Sequence, residues 1–233
     1  MERTAVVGAS GDVGRGIVAQ LLGMGRPVVA VGRSSEALAQ LVREFGAGSA
    51  LTVCEGDVSD AISAKSLAET LSKDGGIRDV VVSVNGPSRA KPLAEMDGKF
   101  LIDVFTQNVL PHFEAAKAFI PTMRPGTTYL SIGGGMADFI VHGMAAVSMA
   151  QAAQRNLFRS LQIEPLKPDV RVLELMLCSM IAGKRTVGIA KPGWITADEV
   201  GSHVCAVLAD ATAYPGPILK LRSRAQVGSP EAT

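Results

Sequence analysis

Residues 4–16 read Thr4-Ala-Val-Val-Gly8-Ala-Ser-Gly11-Asp12-Val-Gly14-Arg-Gly16, an apolar strand that runs into a glycine-spaced turn and then a helix. The spacing suits an anion such as a dinucleotide pyrophosphate. Gly8 lets the chain turn sharply, Gly11 leaves no side chain between backbone and phosphate, and Gly14 lets the helix lie close to its sheet. The unpaired N–H groups of that helix's first turn then face the anion. A Gly-x-x-Gly-x-x-Gly string alone is often just a turn. Here it follows the first strand and precedes the apolar stripe Ile17, Leu21, Leu22, the context a nucleotide-binding turn requires. The expected ligands on this turn are Gly8, Ser10, Gly11, Asp12, Val13 and Gly14.

Outward from this turn, short β-rich runs alternate with helical periods. That alternation predicts an α/β, doubly wound Rossmann fold, a seven-stranded parallel sheet with helices on both faces. Strands are expected at 3–7, 27–31, 50–54, 79–84, 127–132, 170–176 and 218–221, and helices at 14–22, 35–45, 63–72, 99–119, 144–164 and 197–208. Thr196 and Glu199 form a capping-box pattern that starts the last helix. Residues 1–222 read as one domain, with a long aperiodic substrate loop near 178–193 and a polar tail at 223–233 that is expected to fray. Ligands of such sheets sit at the carboxyl ends of the strands, which gathers Gly8, Gly32, Asn85, Gly133 and Cys178 around one crevice.

Composition narrows the function. A chain of 233 residues with 47% hydrophobic side chains suits one domain with a full core. Lys and Arg total 23 against 22 acids, a net charge of +1, which offers nothing to nucleic acid or to an anionic membrane surface. No apolar run is long enough to span a bilayer, and the first strand begins almost at Met1, so no secretory leader is expected. Cys54, Cys178 and Cys205 are odd in number and widely spaced, which predicts a reduced, cytoplasmic protein without a structural metal site.

The nucleotide side can be read further. The second strand ends in Val31-Gly32-Arg33-Ser34, and no acid lies between Met24 and Ser35. An acid there would suit the ribose hydroxyls of NAD. Arg33 suits a 2′-phosphate, so NADP(H) is the expected cofactor, the alternative being a solvated loop arginine. Asp57-Val58 follows the third strand, where a carboxylate can accept from an adenine amino group or simply cap a helix. Asn85-Gly86-Pro87 follows the fourth, lining the adenosine side or making a plain turn.

Together these positions resemble the short-chain dehydrogenase/reductase superfamily, from Thr4 to about Leu221. Gly8-Ala-Ser-Gly11-Asp12-Val-Gly14 resembles its glycine motif, although Gly11 and Asp12 stand where the usual members have a non-glycine and then a glycine. Arg33, Asp57-Val58 and Asn85-Gly86 match the family's cofactor positions, and Asn108 matches its helix-four asparagine. Leu157-Phe-Arg-Ser-Leu161 resembles the stretch after the catalytic Tyr and Lys. Counting back from it, the Tyr position falls on Val147, the Lys position on Gln151 and the Ser position on Gly134. The Pro-Gly after the sixth strand is Leu177-Cys178.

The Tyr-x-x-x-Lys motif is therefore absent. Val147 has no proton to give, and Gln151 has no charge with which to tune a phenol. Losing a positioned general acid costs about 10² to 10⁴ in rate. His142, just before the fifth expected helix, is the candidate substitute acid, since imidazole is suited to proton transfer near neutral pH; a loop or capping role is its alternative. Asn108 is the second candidate catalytic residue. Backbone N–H groups of Gly133–Gly135 can polarise a carbonyl or merely form a turn. Ser131 and Ser148 show no spaced His or Asp partner, which disfavours a hydrolase. Lys184 and Arg185 read as solvated charges or as contacts to an anionic substrate. Two functions stay open: an NADP(H)-dependent oxidoreductase of atypical mechanism acting on a small carbonyl or alcohol, and a nucleotide-binding pseudoenzyme. Small and apolar residues on more than one face of the fifth helix (Ala145, Ala146, Met149, Ala152, Ala153, Leu157), with the family's pairing through that helix, predict a homodimer or homotetramer.

Overall fold

In the computed structural model, residues 2–230 are described except 47, 49, 74, 75 and 88. Among them the strands are β1 (Arg3–Val7), β2 (Val28–Gly32), β3 (Leu51–Glu55), β4 (Ile77–Val82), β5 (Thr128–Gly134), β6 (Arg171–Leu177), β7 (Ile181–Ala182), β8 (Ile195–Thr196) and β9 (Ile218–Leu221). The helices are α1 (Asp12–Gly23), α2 (Ser35–Phe45), α3 (Ala61–Lys73), α4 (Gly98–Asn108), α5 (Leu110–Phe119), α6 (Ala145–Ile163) and α7 (Ala197–Ala209). Seven strands form one parallel sheet in the order β3-β2-β1-β4-β5-β6-β9, and β7 and β8 pair separately.

Strands covered on both faces must be apolar on both, and β2 (Val-Val-Ala-Val-Gly) is buried at every residue. Alternate side chains then divide the core. Val6, Ala30, Leu130, Ile132 and Leu175 pack with residues of α1, α2 and α7 on one face. Ala5, Val29, Val80, Tyr129 and Val172 pack with α3, α5 and Phe158 of α6 on the other. The expected seven-stranded architecture is the one observed, with element ends displaced by a residue or two.

Two expectations are corrected. The single helix expected at 99–119 is two, α4 and α5, broken at Val109. Pro111 lacks the N–H that the Gln107 carbonyl would receive, and its ring crowds that carbonyl. The tail does not fray from residue 223. Arg224 pairs with Glu199 at 2.7 Å and donates to the Pro192 carbonyl at 3.1 Å, and Gly228 N–H donates to His203 Nδ1 at 3.2 Å. The capping box is present in both directions, Glu199 N–H to Thr196 Oγ1 at 3.1 Å and Thr196 N–H to Glu199 Oε2 at 2.8 Å.

Helices α1 and α7 touch backbone to backbone. A Cβ on Gly16 would collide with the Ala197 carbonyl, and one on Gly201 with the Gly16 carbonyl. This contact aims the start of α1 at the carboxyl edge of the sheet. Gly16→Ala is expected to cost roughly 2–3 kcal/mol, as overpacking against rigid backbone does, outweighing the gain in helix propensity. Urea unfolding checks this; an unchanged midpoint would show that the two helices separate freely.

Candidate functional site

The strand ends and the loops after them enclose a cleft of about 620 Å³. At its base Gly8 adopts φ +83°, a left-handed conformation that favours glycine, and its backbone lies against the Ser83 carbonyl. The N-cap of α1 is Gly11, which supplies no side-chain cap, whereas Ser34, Asp97 and Thr196 cap α2, α4 and α7. The first-turn N–H groups of α1 are thus left free for an anion. Ser10, Gly11, Asp12 and Val13 line the cleft. Gly14 is pressed so close to the Gly8 carbonyl that no Cβ fits between them.

The remaining nucleotide candidates fall on the same cleft with differing commitments. Arg33 is exposed on the wall and, among the described residues, has no carboxylate partner. Ser34 is occupied as a cap, accepting from Ala37 N–H at 3.2 Å. Asp57 closes a local turn, accepting from the N–H groups of Val58 and Ser59 at 2.7 and 2.9 Å and from the Ser59 hydroxyl at 2.8 Å. Asp60 caps α3 in its place. Val58 is buried; Asn85, Gly86 and Pro87 line the cleft between β4 and α4. These residues fit a dinucleotide: a free helix N-terminus, glycine backbone held open beneath it, and an unpaired guanidinium at the adenosine end.

The catalytic side is filled rather than equipped. Val147 is buried in a cluster with Val104, Ala146 and Ala150, packed on by Phe100, Phe105 and Met144. The Gln151 side chain lies where a side chain on Gly134 would be. The chain's two tyrosines cannot substitute. Tyr129 is buried in mid-strand against Phe158, burial alone raising its pKa, and Tyr214 is packed edge-on to His203. Asn108 is committed to backbone, accepting from Gly86 N–H at 3.1 Å and donating to the Val104 carbonyl at 2.8 Å. It fastens the Asn85–Pro87 turn to α4. His142 is exposed on the loop between β5 and α6, beyond the residues that line the cleft. The Gly143 carbonyl beside it accepts from Lys91 N–H at 2.8 Å, which ties this loop to the one after β4.

Ser131 does have a histidine partner, contrary to expectation. Its Oγ lies 2.8 Å from His112 Nδ1, and His112 Nε2 lies 2.8 Å from the Val84 carbonyl. A carbonyl only accepts, so Nε2 carries the proton and Nδ1 accepts from the serine hydroxyl. Gln154 donates to Ser131 Oγ and to the Ile132 carbonyl, both at 3.1 Å. Burial pushes the His112 pKa down to about 4, only partly offset by the Val84 bond. Ser131 and His112 are wholly buried. The network joins β4, α5, β5 and α6 and has no open face for a substrate, so the case against a hydrolase stands for a different reason.

Sequence reasoning also missed Glu174. It interrupts the apolar run Val172–Leu177, a signal that was present, since a carboxylate within a doubly covered strand needs a reason. Its side chain lies over Gly133, filling the space a Cβ there would need. Glu174 is fully buried, and among the described residues both its oxygens lack a hydrogen-bond partner, as does Gln151 Oε1 nearby. Burial raises its pKa to about 8; Arg155 opposes that rise and Asp138 adds to it. Arg155 and Lys220 both pair with Asp138 above it. Cys178, half-buried against Gly135, has its thiol pKa raised mainly by burial, which disfavours a thiolate nucleophile.

Comparison with known proteins agrees with this geometry. A family model for short chain dehydrogenase matches residues 2–184. The chain is 23% identical over 182 residues to an NADPH-dependent pterin aldehyde reductase of Arabidopsis thaliana, covering 73% of this chain and 75% of that one. An alcohol dehydrogenase from the archaeon Thermococcus sibiricus, solved in complex with 5-hydroxy-NADP, superposes with a TM-score of 0.81 at 25% identity, covering 96% and 97% of the two chains. A short chain oxidoreductase from Pseudomonas aeruginosa, solved with NADPH and described as containing an atypical catalytic center, superposes with a TM-score of 0.79 at 22% identity over 94% of each chain.

Proposed function

This chain belongs to the short-chain dehydrogenase family, and from that premise we propose that it is an NADP(H)-dependent oxidoreductase acting on a small carbonyl or alcohol without the family's Tyr/Lys pair. The observation that carries the cofactor is Arg33, a guanidinium on the cleft wall with no carboxylate partner among the described residues, at the end of a strand where no acid lies between Met24 and Ser35. The related pterin aldehyde reductase uses NADPH, and the archaeal neighbour carries a 5-hydroxy-NADP. When bound, the nucleotide supplies hydride-transfer chemistry. The chain's own part is to hold the pyrophosphate on the first turn of α1, to receive a 2′-phosphate at Arg33, and to keep water from the inner end with Ile132, Leu177 and Ile181. In this reading His142, exposed on the loop between β5 and α6, is the candidate proton donor. A second reading, a nucleotide-binding protein without turnover, is favoured by the packing of Val147 and Gln151 into the space of the missing acid.

Arg33→Ala is expected to weaken NADPH by about 1.5–3 kcal/mol, the range for a charge-assisted hydrogen bond, and to leave NADH nearly unchanged. Titration calorimetry of both cofactors on both proteins checks it. Equal affinities for NADPH and NADH in the unaltered protein would refute the assignment.

A further inference from the structure

The acid inside the glycine turn has a task that the nucleotide does not explain. A carboxylate in the first turn of α1 is poorly placed to meet a pyrophosphate, because like charges repel. Asp12 is turned away from that position, toward the long loop after β6. Its Oδ2 accepts from Arg185 N–H at 3.0 Å, across 173 residues of sequence. Gly183 comes so close that a Cβ there would run into the Asp12 carboxyl. The neighbouring Lys184 ammonium pairs with Glu44 at 3.1 Å, and Glu44 also holds Arg15 of α1. Loop residues 183–185 are thus fastened to α1 and α2 beside the glycine turn.

The fastening places one side chain that has no other partner. Arg185 lines the cleft together with Gly8, Ser10, Gly11 and Val13, and among the described residues its guanidinium has no carboxylate to pair with. Glu44 is taken by Lys184 and Arg15, and Asp12 is bonded to the Arg185 backbone N–H. A planar guanidinium presents paired donors that match phosphate oxygens. We infer that Asp12 latches the loop through the Arg185 backbone, so that the Arg185 guanidinium closes over the pyrophosphate opposite the N–H groups of α1. The pyrophosphate is then gripped from both sides, and the nucleotide leaves only when the Asp12 contact opens. Asp12 is a positioning residue here and Arg185 a binding residue.

This rests on the nucleotide reading above, and the experiment separates the two. Calorimetry with Arg185→Met is expected to show NADPH and NADH weakened alike, by about 10- to 100-fold. Adenosine 2′,5′-bisphosphate, which lacks the pyrophosphate bridge but keeps the phosphate for Arg33, should change by less than about twofold. Lys191→Gln, an exposed cation on the same loop, should leave all three affinities unchanged and so excludes a general charge effect. The latch is read without nucleotide, by trypsin cleavage after Lys184 and Arg185. Asp12→Ala is expected to speed that cleavage about tenfold and, in stopped flow, to speed NADPH release. Unchanged NADPH affinity in Arg185→Met, alongside a loss in Arg33→Ala, overturns the inference and leaves the cofactor assignment intact. Unchanged cleavage in Asp12→Ala, or tighter NADPH with no change in cleavage, shows that Asp12 merely repels phosphate and also overturns it. Absence of NADPH binding to the unaltered protein is instead a failure of the nucleotide reading itself.

Discussion

Glu174→Gln is expected to make the protein more stable at alkaline pH and to remove most of its stability loss between pH 5 and 9. Glu174 is buried without a hydrogen-bond partner among the described residues, and burial moves its pKa from 4.5 to about 8. The sign follows from proton binding. Between those two values the folded state holds a proton that the unfolded state has released, so stability falls as pH rises toward and through 8. Fully developed, the loss is roughly 4–5 kcal/mol at 1.36 kcal/mol per pH unit. Glutamine keeps the shape over Gly133 and cannot ionise. Melting temperatures of the two proteins should therefore lie close at pH 5 and separate progressively toward pH 9. Curves that stay parallel would mean that Glu174 ionises in the folded state at its ordinary value, with water reaching it. His112 acts at the other end of the scale. Its pKa is depressed to about 4, so the unfolded state takes up a proton first as pH falls below about 6.5, and stability declines on the acid side. Asp138, its carboxyl held low by Lys220 and Arg155, adds to that acid limb.

The second large effect concerns turnover. With NADPH and a broad panel of aldehydes and ketones, His142→Ala is expected to lower kcat/KM by about 10²-fold or more while leaving NADPH affinity unchanged, as loss of a positioned general acid does. The expectation follows from elimination of the other candidate donors. Val147 is packed in the core, Gln151 has no ionisable proton, and neither tyrosine reaches the site. Asn108 is tied to backbone and Cys178 is a poor acid at neutral pH. The pH–rate profile should lack the limb that a Tyr/Lys pair produces. Firm NADPH binding with no turnover on the whole panel would favour the binding-protein reading. Robust turnover indifferent to His142→Ala would place the proton source in water or in the substrate and remove His142 from the mechanism.

Much of this protein was legible in its sequence wherever the information is local. The glycine turn, the alternation of strands and helices and the Thr196/Glu199 box all depend on residues a few positions apart, and short-range spacing encodes such contacts directly. Arg33 at the end of the second strand, and the lack of any Tyr followed four residues later by Lys, are likewise matters of short-range spacing. Even the break at Val109 was written in Pro111, although the apolar period ran through it. Tertiary structure alone decided the rest. His112 meets Ser131 because β4 and β5 are neighbours with α5 and α6 laid across them. Glu174 finds no partner because β6 lies inside the sheet beneath α6, and Gly16 is required only because α7 arrives against it. Asp12 read as a pyrophosphate ligand because its motif said so. Its carboxyl bonds to a loop 173 residues away, because strand order and helix packing bring that loop to α1, while its backbone stays in the first turn that faces the cleft. Periodicity records which side of an element faces the core; it does not record which distant element will be there to meet it.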